Sequence, residues 1–160
     1  MALHLSVVGG YDVAPEVLAD AEQVGRLAAE AGFVVVTGGR GGVSAAASRG
    51  AAGVGGVALG ILPGTDRAEA NEWCTHVVAT GLGLTRNALV AMNGDVVVAL
   101  DGSYGTLSEV AHALLDGTPV IGLGTWTLAR HGRTDDGIVP AASPADAVTR
   151  ARALVGSPPG

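Results

Sequence analysis

Residues 80–115, TGLGLTRNALVAMNGDVVVALDGSYGTLSEVAHALL, contain the clearest sequence signals of the fold. Its centre, DVVVAL (95–100), is a short apolar run between turn residues, which is typical of a strand buried on both faces of a parallel sheet. The next residues, DGSYGT (101–106), include two glycines that allow a tight turn and a close approach to a ligand. Thr106 as a helix cap and Glu109 three residues later have the spacing of a capping box. The stretch therefore predicts a buried strand, a tight turn and a helix.

Strand-like and helix-like segments alternate on both sides of this stretch. The predicted strands are residues 3–8, 33–36, 57–62, 75–79, 95–100, 119–123 and 137–140, and the predicted helices are residues 15–31, 43–53, 84–93, 106–116 and 144–155. Residues 126–136 show no clear element. Such alternation predicts an α/β fold, a Rossmann-like doubly wound parallel sheet with helices on both faces. We expect one nucleotide-binding-type domain over residues 1–156, with residues 157–160 as a frayed tail.

Composition excludes several classes of function. No apolar run reaches the roughly 18 residues that cross a bilayer, and the first residues lack the basic segment of a signal peptide. The net charge of −6 argues against a nucleic-acid-binding face. All nine basic residues are arginine, so no lysine is available for a pyridoxal phosphate Schiff base or for a P-loop. The single cysteine, Cys74, excludes an internal disulfide and fits a cytoplasmic location.

Three glycine-rich turns each follow a predicted strand, at residues 9–10, 37–42 and 101–105. Because the carboxyl ends of parallel strands meet at one edge of the sheet, these turns are expected to line a single crevice. Backbone N–H groups at the start of the helix after residue 105 suit a phosphate group. The predicted ligand-binding residues are Gly9, Gly10, Thr37, Gly38, Gly39, Arg40, Gly41, Gly42, Asn87, Gly102, Ser103, Tyr104, Gly105 and Thr106.

Two charged residues near these turns are candidates for chemistry. Arg86 opens a predicted helix, where the helix dipole disfavours a cation, so an anionic partner is expected there. Glu109 lies on the helix after the third turn and either contacts the ligand or only completes a capping box. Cys74 and His76 alone do not make a metal site, and the glycine turns do not match the dinucleotide fingerprint. We therefore predict no bound metal, no resident cofactor and no nicotinamide-dependent dehydrogenase.

In their order, the segments TGG (37–39), Arg86 and GSYGTLSE (102–109) resemble the motifs of the LOG-like proteins, which were long mislabelled lysine decarboxylases. Members of that family release the base from cytokinin nucleoside monophosphates, and the short branch that this chain resembles has molybdenum-cofactor carriers among its relatives. The resemblance implies that Arg86 and Glu109 are the catalytic pair of a nucleoside 5′-monophosphate phosphoribohydrolase. A carboxylate there would stabilise an oxocarbenium-like centre or activate water. The family resemblance also implies that the chain forms a homo-oligomer, either a dimer or a tetramer.

The chain departs from the family pattern at several positions. Asn87 stands where catalytic members carry lysine, Asp101 and Ser103 interrupt the glycine run, and Arg40 interrupts the first loop. Two functions therefore remain open. One is hydrolysis of a nucleoside monophosphate to free base and ribose 5-phosphate. The other is a non-catalytic carrier or sensor of a nucleotide or of molybdenum cofactor. Both require a crevice that binds a phosphorylated small molecule.

Overall fold

The alternating strands and helices form a seven-stranded sheet in a computed structural model that describes residues 1–156. The predicted frayed tail, residues 157–160, lies outside the described residues. The strands are β1 His4–Gly9, β2 Val34–Thr37, β3 Ala58–Leu62, β4 His76–Ala79, β5 Val96–Leu100, β6 Val120–Leu123, β7 Leu128–Arg130, β8 Arg133–Asp135 and β9 Ile138–Pro140. The helices are α1 Pro15–Glu30, α2 Val43–Gly53, α3 Arg86–Met92, α4 Tyr104–Leu115 and α5 Pro144–Val155, with 3-10 turns at Arg67–Glu69 and Gly83–Thr85.

The main sheet has the strand order β4-β3-β2-β1-β5-β6-β9, and each neighbouring pair is parallel. The chain builds outward from β1 to β4 and then returns to place β5 beside β1. This reversal is the switch point at which ligands bind in open α/β sheets. Gly9 of β1 pairs with Leu100 of β5, so the two strands end level and their glycine turns emerge side by side.

Helices cover both faces of the sheet, which confirms the predicted fold class. Along β5, Val96, Val98 and Leu100 pack into the core with α1, α2 and α5. The alternate residues Val97 and Ala99 pack on the other face with α3 and α4. Successive residues of a strand point to opposite faces, and helices cover both faces here, so all five side chains are buried. The apolar run DVVVAL thus forms the middle of both cores.

Two expectations from the sequence were wrong. Thr106 does not cap α4, because the helix begins earlier with Ser103 as the residue at its N-cap, and so Glu109 completes no capping box. Residues 126–136 contain the antiparallel hairpin β7–β8, whose turn places His131 and Gly132 at φ 52° and 74°. Its strands have only three residues each, and all of these residues except Leu128 are exposed, so they carry no alternating apolar pattern.

Within residues 1–156 the structure contains no helix that is both long and apolar enough to span a bilayer.

Candidate functional site

A cavity of about 430 Å³ opens at the carboxyl ends of β1, β2 and β5, and we call it the switch-point cavity. Residues that follow each of these strands line it, together with the first residues of α3 and the first turns of α4. Its lining residues are Val8, Gly9, Tyr11, Gly38, Arg40, Gly41, Ser44, Arg86, Asn87, Ser103, Gly105, Thr106 and Glu109. The sheet topology therefore brings all three glycine turns to one crevice.

Most of the residues predicted to bind ligand lie in the wall of this cavity. These are Gly9, Gly38, Arg40, Gly41, Asn87, Ser103, Gly105 and Thr106, together with the predicted catalytic pair Arg86 and Glu109. Gly10, Thr37, Gly39, Gly42, Gly102 and Tyr104 lie outside the lining. That any of these residues contacts a ligand stays a prediction.

Some residues behind the wall hold the turns in shape. Thr37 is fully buried, and its Oγ1 accepts a hydrogen bond from the N–H of Gly39 at 3.1 Å. The carbonyl of Gly10 accepts from the N–H of Val43 at 3.0 Å, which joins the first glycine turn to the start of α2. Gly42, the residue before α2, has φ 61°, a conformation that favours glycine. These contacts fix the position of the backbone that lines the cavity.

Three lining residues were missed from the sequence, namely Val8, Tyr11 and Ser44. Tyr11 follows the first glycine turn, and its ring lies against Gly41, where a Cβ would lie 2.5 Å from Cε2. Ser44 lies in the first turn of α2, directly after the second glycine turn. The sequence signal available for these residues was their position next to a glycine turn. That position does not indicate which side chains point into the cavity.

Arg86 presents a partly buried cation to the cavity. It is the first residue of α3, and its guanidinium packs on Gly38, where a Cβ would lie 2.5 Å from Nη1. Its Nε is buried and has no hydrogen-bond partner among residues 1–156. Burial lowers the pKa of Arg86, and the neighbouring Arg40 lowers it further, while Glu109 opposes both. A guanidinium nevertheless stays charged at neutral pH, so this corner of the cavity favours an anion.

Glu109 faces Arg86 from the second turn of α4 and is only 7% exposed. Burial raises the pKa of Glu109 to about 8, although the positive charge of Arg86 acts in the opposite direction. The carboxyl group is therefore mostly protonated at neutral pH. In that form it is a hydrogen-bond donor as well as an acceptor. The cavity consequently combines two arginines with a largely neutral acid.

Asn87 ties α3 to the beginning of α4. Its Nδ2 donates to Ser108 Oγ at 3.2 Å, and Ser108 Oγ donates to the carbonyl of Gly105 at 2.6 Å. The Asn87 side chain is 8% exposed, so a flexible charged residue of greater length would not take its place without rearrangement. Asn87 thus supports the third glycine turn with a neutral amide.

The turn before α4 needs glycine for a steric reason. Gly102 has φ 102°, and a Cβ there would overlap the side chain of Thr106. Asp101, at φ 48°, accepts a hydrogen bond from the N–H of Gly102 at 2.6 Å and does not line the switch-point cavity. The carboxylate that interrupts the glycine run therefore does not oppose an anion there. Ser103, Gly105 and Thr106 leave the first turn of α4 open to the cavity.

The other titratable candidates lie elsewhere. Cys74 is partly buried behind the second glycine turn, 3.9 Å from Ser48 Oγ, and burial raises the pKa of its thiol. His112 is exposed on the outer side of α4. Across residues 1–156, no three His, Cys, Asp or Glu side chains cluster in a way that could hold a metal ion.

Comparison with known proteins gives consistent results. A sequence model of the SLOG cluster4 family matches residues 2–148. A protein of Archaeoglobus fulgidus is 36% identical over 121 residues, which cover 76% of this chain and 80% of that protein. The molybdenum cofactor binding protein of Rippkaea orientalis has a similar structure, with a TM-score of 0.88, 32% identity and coverage of 98% of this chain and 99% of that one. The molybdenum cofactor carrier protein of Chlamydomonas reinhardtii gives a TM-score of 0.84 at 29% identity, covering 98% and 100% of the two chains.

Proposed function

Because the chain belongs to the SLOG cluster4 family of the LOG-like superfamily and resembles molybdenum cofactor carriers over nearly its whole length, we propose that it is a carrier of a phosphorylated small molecule. The ligand lies in the switch-point cavity and is held without being hydrolysed. One observation carries the proposal, namely the buried Nε of Arg86, a charged donor without a partner among residues 1–156. An anionic ligand group beside this guanidinium would offset the cost of burying its charge.

The cavity offers two kinds of anion contact. Arg86 and Arg40 supply charge, and the open first turn of α4 supplies backbone N–H groups and the positive end of the helix dipole. The Thr106 hydroxyl adds a donor that is independent of charge. A terminal phosphate satisfies all of these groups together, and both a nucleoside monophosphate and the pterin of molybdenum cofactor carry one. We take the cofactor as cargo, because relatives that are similar over nearly their whole length bind or carry it.

The protonation state of Glu109 favours a carrier function over hydrolysis of the ligand. An ionised carboxylate is needed to stabilise an oxocarbenium-like centre or to activate water. Burial raises the pKa of Glu109 to about 8, so only a minor fraction of the protein has that carboxylate at neutral pH. Asn87, which packs as a neutral amide on Ser108, adds no charge to the reaction centre.

Hydrolysis of a nucleoside 5′-monophosphate is the second candidate, because Arg86 and Glu109 face the same cavity. A protonated Glu109 could donate its proton to the departing base as a general acid, while Arg86 holds the phosphate. In that mechanism the attacking water would need another base, for which the lining residues contain no further carboxyl group.

The experiment that separates the two functions incubates purified protein with AMP and measures adenine and ribose 5-phosphate by chromatography. The carrier proposal predicts no release of adenine, together with an AMP-dependent rise in the melting temperature. Arg86→Met removes that rise, whereas Arg67→Met, an exposed arginine outside the cavity, retains it. Adenine release by the wild type that disappears in Glu109→Gln would refute carriage and establish the hydrolase.

We also infer that the chain forms a homo-oligomer through the face that α3 and α4 cover. Leu84, Met92 and Leu115 on or beside these helices are 82%, 57% and 82% exposed. Burial of such side chains against a second copy would remove apolar area from water. Light scattering of the wild type should give a dimer or tetramer mass, and Leu115→Glu should lower it. A monomer mass for the wild type contradicts this inference.

A further inference from the structure

A second cavity, of about 360 Å³, lies at the same edge of the sheet, and we call it the hairpin cavity. It is formed by the carboxyl ends of β6 and β9, by the β7–β8 hairpin and by the segment that joins β6 to the hairpin. Its lining residues are Gly122, Gly124, Thr125, Trp126, Thr127, Leu128, Thr134, Asp135, Asp136, Ile138, Pro140 and Ala141. None of them was a candidate from the sequence, because the hairpin was not predicted.

Trp126 connects the hairpin cavity to the switch-point cavity. Its Nε1 donates to the carbonyl of Ser103 at 3.3 Å, and Ser103 lines the switch-point cavity. The Trp126 ring also packs on the ring of Tyr104, with centroids 5.8 Å apart and planes at 31°. Thr125 Oγ1 reinforces the junction by donating to the carbonyl of Asp101 at 2.6 Å. The two cavities are therefore neighbours on one continuous edge.

The sheet geometry sets their separation. The switch-point cavity opens at the ends of β2, β1 and β5, so its centre is at β1, and the hairpin cavity opens at the ends of β6 and β9 further along the same sheet. Because neighbouring strands are about 4.8 Å apart, these two and a half strand spacings separate the two centres by about 12 Å. One ligand with an anionic end and a ring can extend across that distance.

The lining of the hairpin cavity differs chemically from that of its neighbour. It contains the flat indole of Trp126 and the apolar side chains of Leu128 and Ile138, and no arginine lines it. The carboxylates of Asp135 and Asp136 would repel a phosphate but accept hydrogen bonds from N–H donors. Asp135 uses Oδ1 to accept from the N–H of Gly137 at 2.9 Å, which leaves Oδ2 for a ligand.

An indole face beside carboxylate acceptors suits a planar heterocycle that carries adjacent N–H and NH₂ groups. The ring stacks on the indole while its edge donates to a carboxylate. The 2-amino-4-oxo ring edge has this arrangement of donors and occurs in both guanine and pterins. Adenine presents a different edge, with its ring nitrogens as acceptors, and satisfies the carboxylates less well.

We propose that the hairpin cavity binds the 2-amino-4-oxo ring of the ligand whose phosphate occupies the switch-point cavity, with Trp126 as stacking partner and Asp135 or Asp136 as acceptor. This inference rests on the proposed function, since it assigns the ring of that same ligand. The hairpin then determines which heterocycle is carried, while Arg86 and the start of α4 hold the phosphate that all candidates share.

The test uses the two tryptophans of the chain. Trp73→Phe leaves Trp126 as the sole indole, so ligand stacking is read from its fluorescence. Titration with GMP or with neopterin phosphate should quench Trp126, whereas ribose 5-phosphate should bind, by calorimetry, without quenching. The relative affinities of GMP and neopterin phosphate distinguish a guanine nucleotide from a pterin as the natural ligand.

Affinity measurements on variants complete the test. Trp126→Ala should weaken GMP binding by about tenfold and ribose 5-phosphate binding by much less, since Trp126 also contacts Ser103. Asp135→Asn or Asp136→Asn should weaken GMP binding by about tenfold and leave ribose 5-phosphate binding unchanged. Trp73→Ala, which changes the tryptophan shortly before β4 at the opposite end of the sheet, serves as the matched control. Asp136 is exposed, so its replacement by asparagine tests the cavity without disturbing the core.

Failure of this inference is distinguishable from failure of the proposed function. If GMP binds Trp126→Ala as tightly as it binds the wild type, while ribose 5-phosphate binds both proteins, the ring lies outside the hairpin cavity and the phosphate site stands. Absence of Trp126 quenching at saturating GMP leads to the same conclusion. If ribose 5-phosphate, GMP and neopterin phosphate all fail to bind the wild type, the carrier proposal and this inference are both overturned.

Discussion

Replacing Glu109 by glutamine measures how burial in the cavity changes the pKa of this carboxyl group. The amide has nearly the shape of the protonated acid but does not titrate. Burial raises the pKa of Glu109 from 4.5 to about 8 in the folded chain. Between these two values the folded protein binds more protons than the unfolded chain, so the free energy of unfolding of the wild type falls as pH rises.

The size of this effect follows from the same pKa values. Each pH unit between them corresponds to about 1.4 kcal/mol, so at pH 7 Glu109 lowers the free energy of unfolding by about 3 kcal/mol relative to pH 4. This loss of unfolding free energy should continue to grow up to about pH 8 and then level off. Because Glu109→Gln lacks this titration, its stability relative to the wild type should increase with pH over the same range.

The assay is urea unfolding of the wild type and Glu109→Gln at several pH values from 4 to 9, in buffers without phosphate, the group that we propose to bind in the cavity. Titrations that the two proteins share cancel in the difference between their unfolding free energies. If the Glu109→Gln difference instead stays flat or falls as pH rises, burial does not raise the pKa of Glu109, and Arg86 holds its carboxylate ionised.

Three further predictions concern the cavity and its supports. Arg86→Met should weaken binding of ribose 5-phosphate by ten- to a hundredfold, measured by calorimetry, because it removes the buried charged donor; unchanged affinity would exclude Arg86 from the phosphate site. Gly102→Ala should lower the free energy of unfolding by about 1–3 kcal/mol because of its φ of 102°, whereas Gly53→Ala, at a glycine with open space around it, should have little effect. Ser143→Ala should cost about 1 kcal/mol, since Ser143 Oγ caps α5 by accepting from the N–H of Asp146 at 3.1 Å; equal urea midpoints would contradict that.

The fold was predictable because its deciding signals are local. Buried β-branched strands such as β5 stand out as continuous apolar runs, and glycine turns mark where each strand ends. The rule that parallel strands end at one edge then groups the turns without any knowledge of distances. The same reasoning brought Arg86 and Glu109 to one crevice, and both line the switch-point cavity.

The features that were not predicted depend on contacts between segments that are distant in sequence. Thr106 and Glu109 have the spacing of a capping box, yet α4 begins two residues before Thr106, with Ser103 at its N-cap. The raised pKa of Glu109 reflects burial among several elements, which spacing alone cannot reveal. The β7–β8 hairpin was not predicted because strands of three mostly exposed residues show no alternating apolar pattern. The cavity beside it was missed because the hairpin that forms one of its walls was not predicted.

Equilibrium dialysis of GMP against the purified protein, followed by chromatography of the bound fraction, tests whether the chain holds a phosphorylated ligand intact. We predict that the wild type retains GMP, which is recovered whole, and that retention is lost in Arg86→Met and kept in Arg67→Met. Recovery of free guanine would show that the protein is a hydrolase. Failure of the wild type to retain any of GMP, neopterin phosphate and ribose 5-phosphate would contradict a phosphate site in the switch-point cavity.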